Sequence, residues 1–410
     1  LRFDPLDAAE EGEATSRARA GAWLLAIAIA GSALAAGTVH PLVLCIVTAV
    51  LAFAAALTWW DAEPVRPRAP ATQLLLLGCA LTLYTLLQCI PLPLSWLGLI
   101  APRNADVWSR VLAPLHEVGP SWAPLTVDPI ATHLEVLKGV AYVLAFLAAL
   151  PLARRRAGIA FLSGVVVTTG LALAMAALLH PAFGARKLYG IWGPNTGDGR
   201  TFAHLAPLLN PNNLAGYINV AWCLALAGAL APEPRLPRPI LTACATVFAA
   251  TQIWVASRGG VATMVLGTML VLALWRAKRM RRDRAIAPWM LGAGAATAAG
   301  LVMLVLGASD RAAAELLETN TTKFQLLWQA LRVIPGYPLW GPGRGTFESA
   351  FPAFRESPGY WTFSHPENVV AQWIVEWGVP VGLAGLITLA IALRPSAILV
   401  RSSTASGAWA

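Results

Sequence analysis

Four groups of residues in the chain have side chains suited to group transfer. One is His365-Pro366-Glu367-Asn368, which lies eight residues ahead of Glu376-Trp377-Gly378. An imidazole and a carboxylate sit two positions apart before an apolar run, and either could act as general base. His365 is the favoured base. An imidazole needs little tuning to accept a proton near neutral pH, whereas a solvated carboxylate is a weak base. Glu367 would then orient it, and Asn368 could serve simply as a helix cap. A second group is Ser257-Arg258-Gly259-Gly260. Its glycines permit a sharp turn between two apolar runs. Arg258 would sit where hydrocarbon meets water, either snorkelling or offering a planar fork to phosphate oxygens.

The third group is Arg200-Thr201-Phe202, followed by Asn210-Pro211-Asn212-Asn213. It brings a cation and capping residues to the mouth of another apolar run. Arg200 as a solvated charge and Asn212 as a cap are the plain alternatives. The fourth runs from Lys323 to Phe347. It reads as an amphipathic helix bearing Trp328, Leu331 and Ile334, then the Gly-rich stretch Gly341-Pro342-Gly343-Arg344-Gly345. No Lys-Ser/Thr pair follows at the Walker spacing, so Gly343 and Gly345 are read as supporting residues and not as a nucleotide loop.

The elements that must position these residues are membrane helices. Of 410 residues, 57% are hydrophobic and 12% charged, and the mean hydropathy is +0.62. Soluble domains carry roughly twice that charge, about 25%. The apolar runs are continuous and long enough for helices, where barrel strands would alternate. The reading is an all-α polytopic membrane protein with ten visible spans: 21–39, 41–60, 71–91, 134–152, 158–179, 213–231, 239–256, 260–275, 286–307 and 369–393. The five cysteines all fall in apolar runs without metal-ligand or CxxC spacing, and read as small buried hydrophobes.

The net charge is +9. Its distribution argues against nucleic acid, because the basic residues crowd into short connections between spans, such as Arg154-Arg155-Arg156 and the run from Arg276 to Arg284. The positive-inside rule then places residues 1–20 in the cytoplasm as an N-terminal tail. A transmembrane domain follows over 21–393, and 394–410 is read as a C-terminal segment cut short. Three long connections, 92–133, 180–212 and 308–368, fall on the outer face. They are rich in Trp and Pro, which points to ordered loops near the membrane surface.

His-Pro-Glu-Asn with Glu-Trp-Gly, preceded by Pro-Leu-Trp-Gly-Pro-Gly-Arg-Gly-Thr-Phe and Ser-Arg-Gly-Gly, resembles the O-antigen ligase and Wzy-type polymerase superfamily. Gln88-Cys89-Ile90-Pro91-Leu92-Pro93 and Pro124-Leu125-Thr126-Val127-Asp128-Pro129 share that resemblance. It covers roughly residues 70–393. It implies an inverting GT-C glycosyltransferase of the bacterial inner membrane, working at the periplasmic face without metal or nucleotide cofactor. The implied donor is a glycan on undecaprenyl diphosphate; the acceptor is lipid A-core or another glycan or protein. Under that resemblance Arg200, Arg258 and Lys323 hold the diphosphate, and His365 or Glu367 activates the acceptor hydroxyl. The chain departs from the family in two places. Glu367 stands where the family often has a second His before Asn, and Phe324 stands where an Arg is usual in the amphipathic helix. A Wzy-type polymerase shares the donor and the motifs. A lipid-linked sugar transporter is the non-enzymatic alternative, and it would need ionisable residues inside the spans.

Overall fold

The computed structural model describes residues 15–60, 69–193, 206–231, 236–255, 257–280, 322–356 and 362–402. The expected span at 286–307 and Arg200 lie outside them. The described chain is mostly helical. Six of its helices are long and apolar enough to cross a membrane: Pro41–Trp60, Pro70–Leu87, Pro129–Leu152, Arg156–Ala182, Pro211–Leu230 and Gly259–Arg276. At 1.5 Å per residue each can cover about 30 Å of hydrocarbon. The structure divides into two compact units, Leu1–Ala62 with Ala148–Glu318 and Leu399–Ala410, and Glu63–Leu147 with Thr319–Ile398.

The first unit contains α1 (Ser16–Leu34) and α2 (Pro41–Trp60). It also contains α7 (Arg156–Ala182), α8 (Pro211–Leu230), α9 (Arg238–Val255) and α10 (Arg258–Met280). Its core gathers Leu173, Ala174, Leu214, Ile218, Ala221, Trp222 and Phe248. Small residues set the helix spacing: a Cβ on Gly170 would lie 2.6 Å from the Ala221 Cβ. Close approach through small residues is how helices associate in lipid, where burial of apolar surface gives no driving force. Polar side chains add ties, such as Trp222 Nε1 donating to Thr268 Oγ1 at 2.9 Å.

In the second unit α3 (Ala69–Leu87) is followed by a two-stranded antiparallel ribbon. Its strands are β1 (Pro91–Pro93) and β2 (Trp122–Pro124), with Leu92 opposite Ala123. Between the strands lie α4 (Leu94–Ile100) and α5 (Pro102–Arg110). Leu97, Ala101, Ala105, Ala123 and Leu125 form a small core beneath them. Then comes α6 (Pro129–Leu152), whose last residues belong to the first unit. Later in the chain come α11 (Thr322–Ala330), a 3-10 turn over Leu331–Gly336, α12 (Val369–Trp377) and α13 (Val379–Ser402). A second core holds Leu326, Ala330, Val333, Phe347, Phe351 and Val375, with the Phe347 and Phe351 rings stacked at 4.7 Å.

The structure corrects four sequence expectations. The span 369–393 is two helices, broken at Gly378 (φ 79°, ψ 161°). A Cβ there would collide with the Leu339 carbonyl, so only glycine fits. The first span ends at Leu34 and not at 39, because Ala36, Gly37 and Thr38 all adopt positive φ. The inner stripe of α11 and its 3-10 continuation is Leu326, Ala330 and Val333, and Trp328 points outward at 69% exposure. The cysteines are not buried. Cys45 and Cys79 are exposed on the outer faces of α2 and α3, and the other three are partly exposed. A helix in lipid is apolar on both faces, so apolar context does not distinguish inside from outside.

Candidate active site

In the first unit, the expected phosphate-binding turn joins α9 to α10. Arg258 is the first residue of α10. The turn is fixed by Ser257, whose hydroxyl donates to Asn212 Oδ1 at 3.0 Å and accepts from the Gly260 amide at 3.1 Å. Asn212 thereby links the starts of α8 and α10, while Asn210, not Asn212, caps α8 by accepting from the Asn212 amide at 2.8 Å. Asn219 donates to the Gly260 carbonyl and to Thr263 Oγ1, at 2.9 and 2.7 Å. Gly260 does not serve the turn through positive φ. It is glycine because a Cβ would strike Gln252 Nε2 and crowd Ala215. Gly259 has open space around its Cβ position. The α10 N-terminus that carries Arg258 is thus anchored by side chains of α8.

In the second unit, His365 and Glu367 are exposed in the segment that leads into α12. Ser364 Oγ lies 2.9 Å from His365 Nδ1. Which of the two atoms donates depends on the ring tautomer, and Nε2 keeps a lone pair only where Nδ1 carries the hydrogen. Glu367 has φ 51°, a left-handed conformation uncommon for a side chain of its kind. Asn368 is the N-cap of α12, accepting from the Ala371 amide at 3.0 Å. Lys323 lies in the first turn of α11.

Sequence reasoning missed an ion cluster in this unit. Arg344 donates from Nε to Glu135 Oε2 at 3.1 Å and from Nη1 to Glu376 Oε2 at 2.7 Å. Its guanidinium lies 4.8 Å from the centre of the Trp377 ring. Lys138 Nζ meets Glu135 Oε1 at 2.6 Å, so two cations and two carboxylates alternate. Glu376 is fully buried and takes a further bond from Gln372. Burying a carboxylate this way demands a charged partner with good geometry. Glu135, Arg344, Trp373 and Trp377 line a cavity of about 500 Å³ with otherwise largely apolar walls. Glu135 and Lys138 are carried by the N-terminal half of α6.

The Gly-rich stretch is a knot and not a phosphate cradle. Gly341, Gly343 and Gly345 all have positive φ, and a Cβ on Gly343 would collide with Thr126. Its polar backbone groups are taken up internally. The Arg344 amide donates to Gln88 Oε1 at 3.0 Å, and the Arg344 carbonyl accepts from Thr132 at 2.8 Å. Asn104 donates to the Gly341 carbonyl, the Val127 amide to that of Pro342, and Gln88 to that of Trp340. Four stretches far apart in sequence therefore meet in one network: Gln88 and the residues after it, Thr126 to Asp128, Trp340 to Thr346, and Glu376-Trp377.

Residues 243–386 match the family described as O-antigen ligase. The resemblance read from the sequence is thereby shown for this stretch, which contains Arg258, Lys323, Gly343, Gly345, His365, Glu367 and Asn368. Arg344 and Glu376 also lie within the O-antigen ligase match, whereas Arg200, Asn212, Gln88 and Glu135 fall before it. Neither the curated proteins nor the solved structures yielded a match.

Proposed function

We propose that the chain transfers a glycan from undecaprenyl diphosphate to an acceptor hydroxyl at the periplasmic face of the bacterial inner membrane, as an O-antigen ligase. The O-antigen ligase match over 243–386, which takes in both the Arg258 turn and the His365 segment, carries this reading. The chemistry needs no outside energy source. His365 takes the proton of the acceptor hydroxyl, and the oxygen attacks the anomeric carbon. The bond from that carbon to the diphosphate oxygen breaks, and the lipid diphosphate leaves with the electron pair. Arg258, Arg200 and Lys323 offset the charge that grows on the leaving oxygen. Attack from the face opposite the leaving group inverts the anomeric centre. Ser364, at 2.9 Å from His365 Nδ1, supports the base role by orienting the ring.

The test is a purified assay of the full-length protein with an undecaprenyl-diphosphate glycan and two acceptors in separate reactions, lipid A-core and a second lipid-linked repeat. Transfer to lipid A-core supports ligation. Extension of the second donor alone makes the protein a polymerase, and no glycosidic product with any acceptor overturns the enzyme reading.

A further inference from the structure

We infer that α4 lies in the interfacial layer of the membrane, so that the second unit has a lipid-docking surface in addition to its spans. On this seven-residue helix, Leu97 is fully buried in the small core with Ala101 and Ala123. Trp96, Leu99 and Ile100 stand at i, i+3 and i+4, which places them on one stripe, and they are 63%, 84% and 42% exposed. Large apolar side chains gathered on one exposed stripe form a patch of the kind that marks a membrane or partner surface. The patch extends at both ends. Ile90, between the end of α3 and β1, is exposed, as are Leu86 and Leu87 in the last turn of α3. At the other end Trp340 donates from Nε1 to the Ile100 carbonyl at 3.1 Å, leaving its ring partly exposed beside the helix.

Lipid is the occupant that fits. The apolar surface is continuous with α3, which is one of the helices long enough to cross the membrane. Tryptophan with aliphatic neighbours is the composition favoured at the boundary between headgroups and acyl chains. The next helix marks the water side. In α5, Arg103, Asp106 and Arg110 form an exposed ion cluster, while Asn104 and Ala105 face inward. Two adjacent short helices thus show opposite outer surfaces, apolar on α4 and charged on α5, and the boundary of the bilayer runs between them. A protein partner would have to cover a surface already continuous with hydrocarbon.

The test uses the full chain in lipid nanodiscs, with the native cysteines replaced and a nitroxide placed at Leu99→Cys, at Trp96→Cys or at Ser109→Cys in α5. Collision with oxygen, which concentrates in lipid, is compared with collision with a water-soluble nickel chelate. The oxygen-to-nickel ratio at 99 and 96 is expected to be severalfold higher than at 109. A ratio at 99 and 96 equal to that at 109 places α4 in water and overturns the inference. Labels at 99 and 96 shielded from both reagents would overturn it in favour of a protein partner or a second copy. Leu99 is 84% exposed, so its substitution removes little packing, and the result does not depend on whether the protein transfers glycans.

Discussion

Glu367 occupies a backbone position that its side chain does not favour. A left-handed conformation costs an ordinary L-residue roughly 1–2 kcal/mol, and Asn, Asp and His tolerate it better. The resemblance places a His at this point in many relatives, a residue enriched in that conformation. His365 is then left as the candidate base, with Ser364 at its Nδ1. His365→Ala is expected to lower glycan transfer by about 10²–10⁴-fold with normal membrane insertion. Glu367→Gln should keep measurable activity; a dead Glu367→Gln beside an active His365→Ala would show that the carboxylate has taken the role of base. Arg258→Lys keeps the charge but loses the planar fork, and most transfer activity should go with it. Near-normal turnover of that variant in the purified assay would reduce Arg258 to a snorkelling cation. These residues were singled out because their types announce chemistry. Arg344 and Glu376 were visible only as letters in motifs, and Glu135 was not singled out, since partners 209 and 32 residues from Arg344 leave no local signal.

At the scale of elements, the apolar runs located the helices well and their faces poorly. The break at Gly378 was hidden in an otherwise apolar stretch, because a glycine in such a run reads equally as a packing residue. The fully exposed side of each membrane helix is as apolar as its packed side, so the outward positions of Cys45 and Cys79 could not be read. What holds α12 in place is clearer from the structure. Arg344 and Gln88 bind it at Glu376, one by side chain and the other at the backbone carbonyl. Removing one member of a buried ion pair costs about 3–5 kcal/mol, because the other charge stays buried without compensation. Arg344→Met should therefore lower the thermal unfolding midpoint in detergent markedly, and the double variant Arg344→Met with Glu376→Met should recover part of the loss. If Arg344→Met unfolds at the wild-type temperature, the cluster does not hold the second unit together. Gly343→Ala tests the same knot without touching charge. Its φ of 118° and the collision with Thr126 should destabilise the unit at least as much as a strained backbone residue, about 1–3 kcal/mol.

For the whole molecule, the composition required a membrane and the charge pattern gave an orientation. The long, Trp-rich connections fold where they are described: 92–133 is a ribbon, two short helices and the start of α6, not an irregular loop. Their side of the membrane is an expectation from the short basic connections. The arginines at 154–156 and the run from Arg276 to Arg284 fall on alternate ends of the predicted spans from the His365 segment. One inverted span would carry His365 to the cytoplasm, away from any periplasmic acceptor. The measurement that decides is accessibility of single cysteines to an impermeant maleimide in intact cells. The native cysteines must be replaced first, since two of them are exposed on helix faces. Ala312→Cys, in the connection before α11, is expected to label without permeabilisation, and Ala277→Cys, in the basic run, only after it. Labelling in the reverse order would put the His365 segment on the cytoplasmic side, and no lipid-linked glycan presented in the periplasm could then reach it.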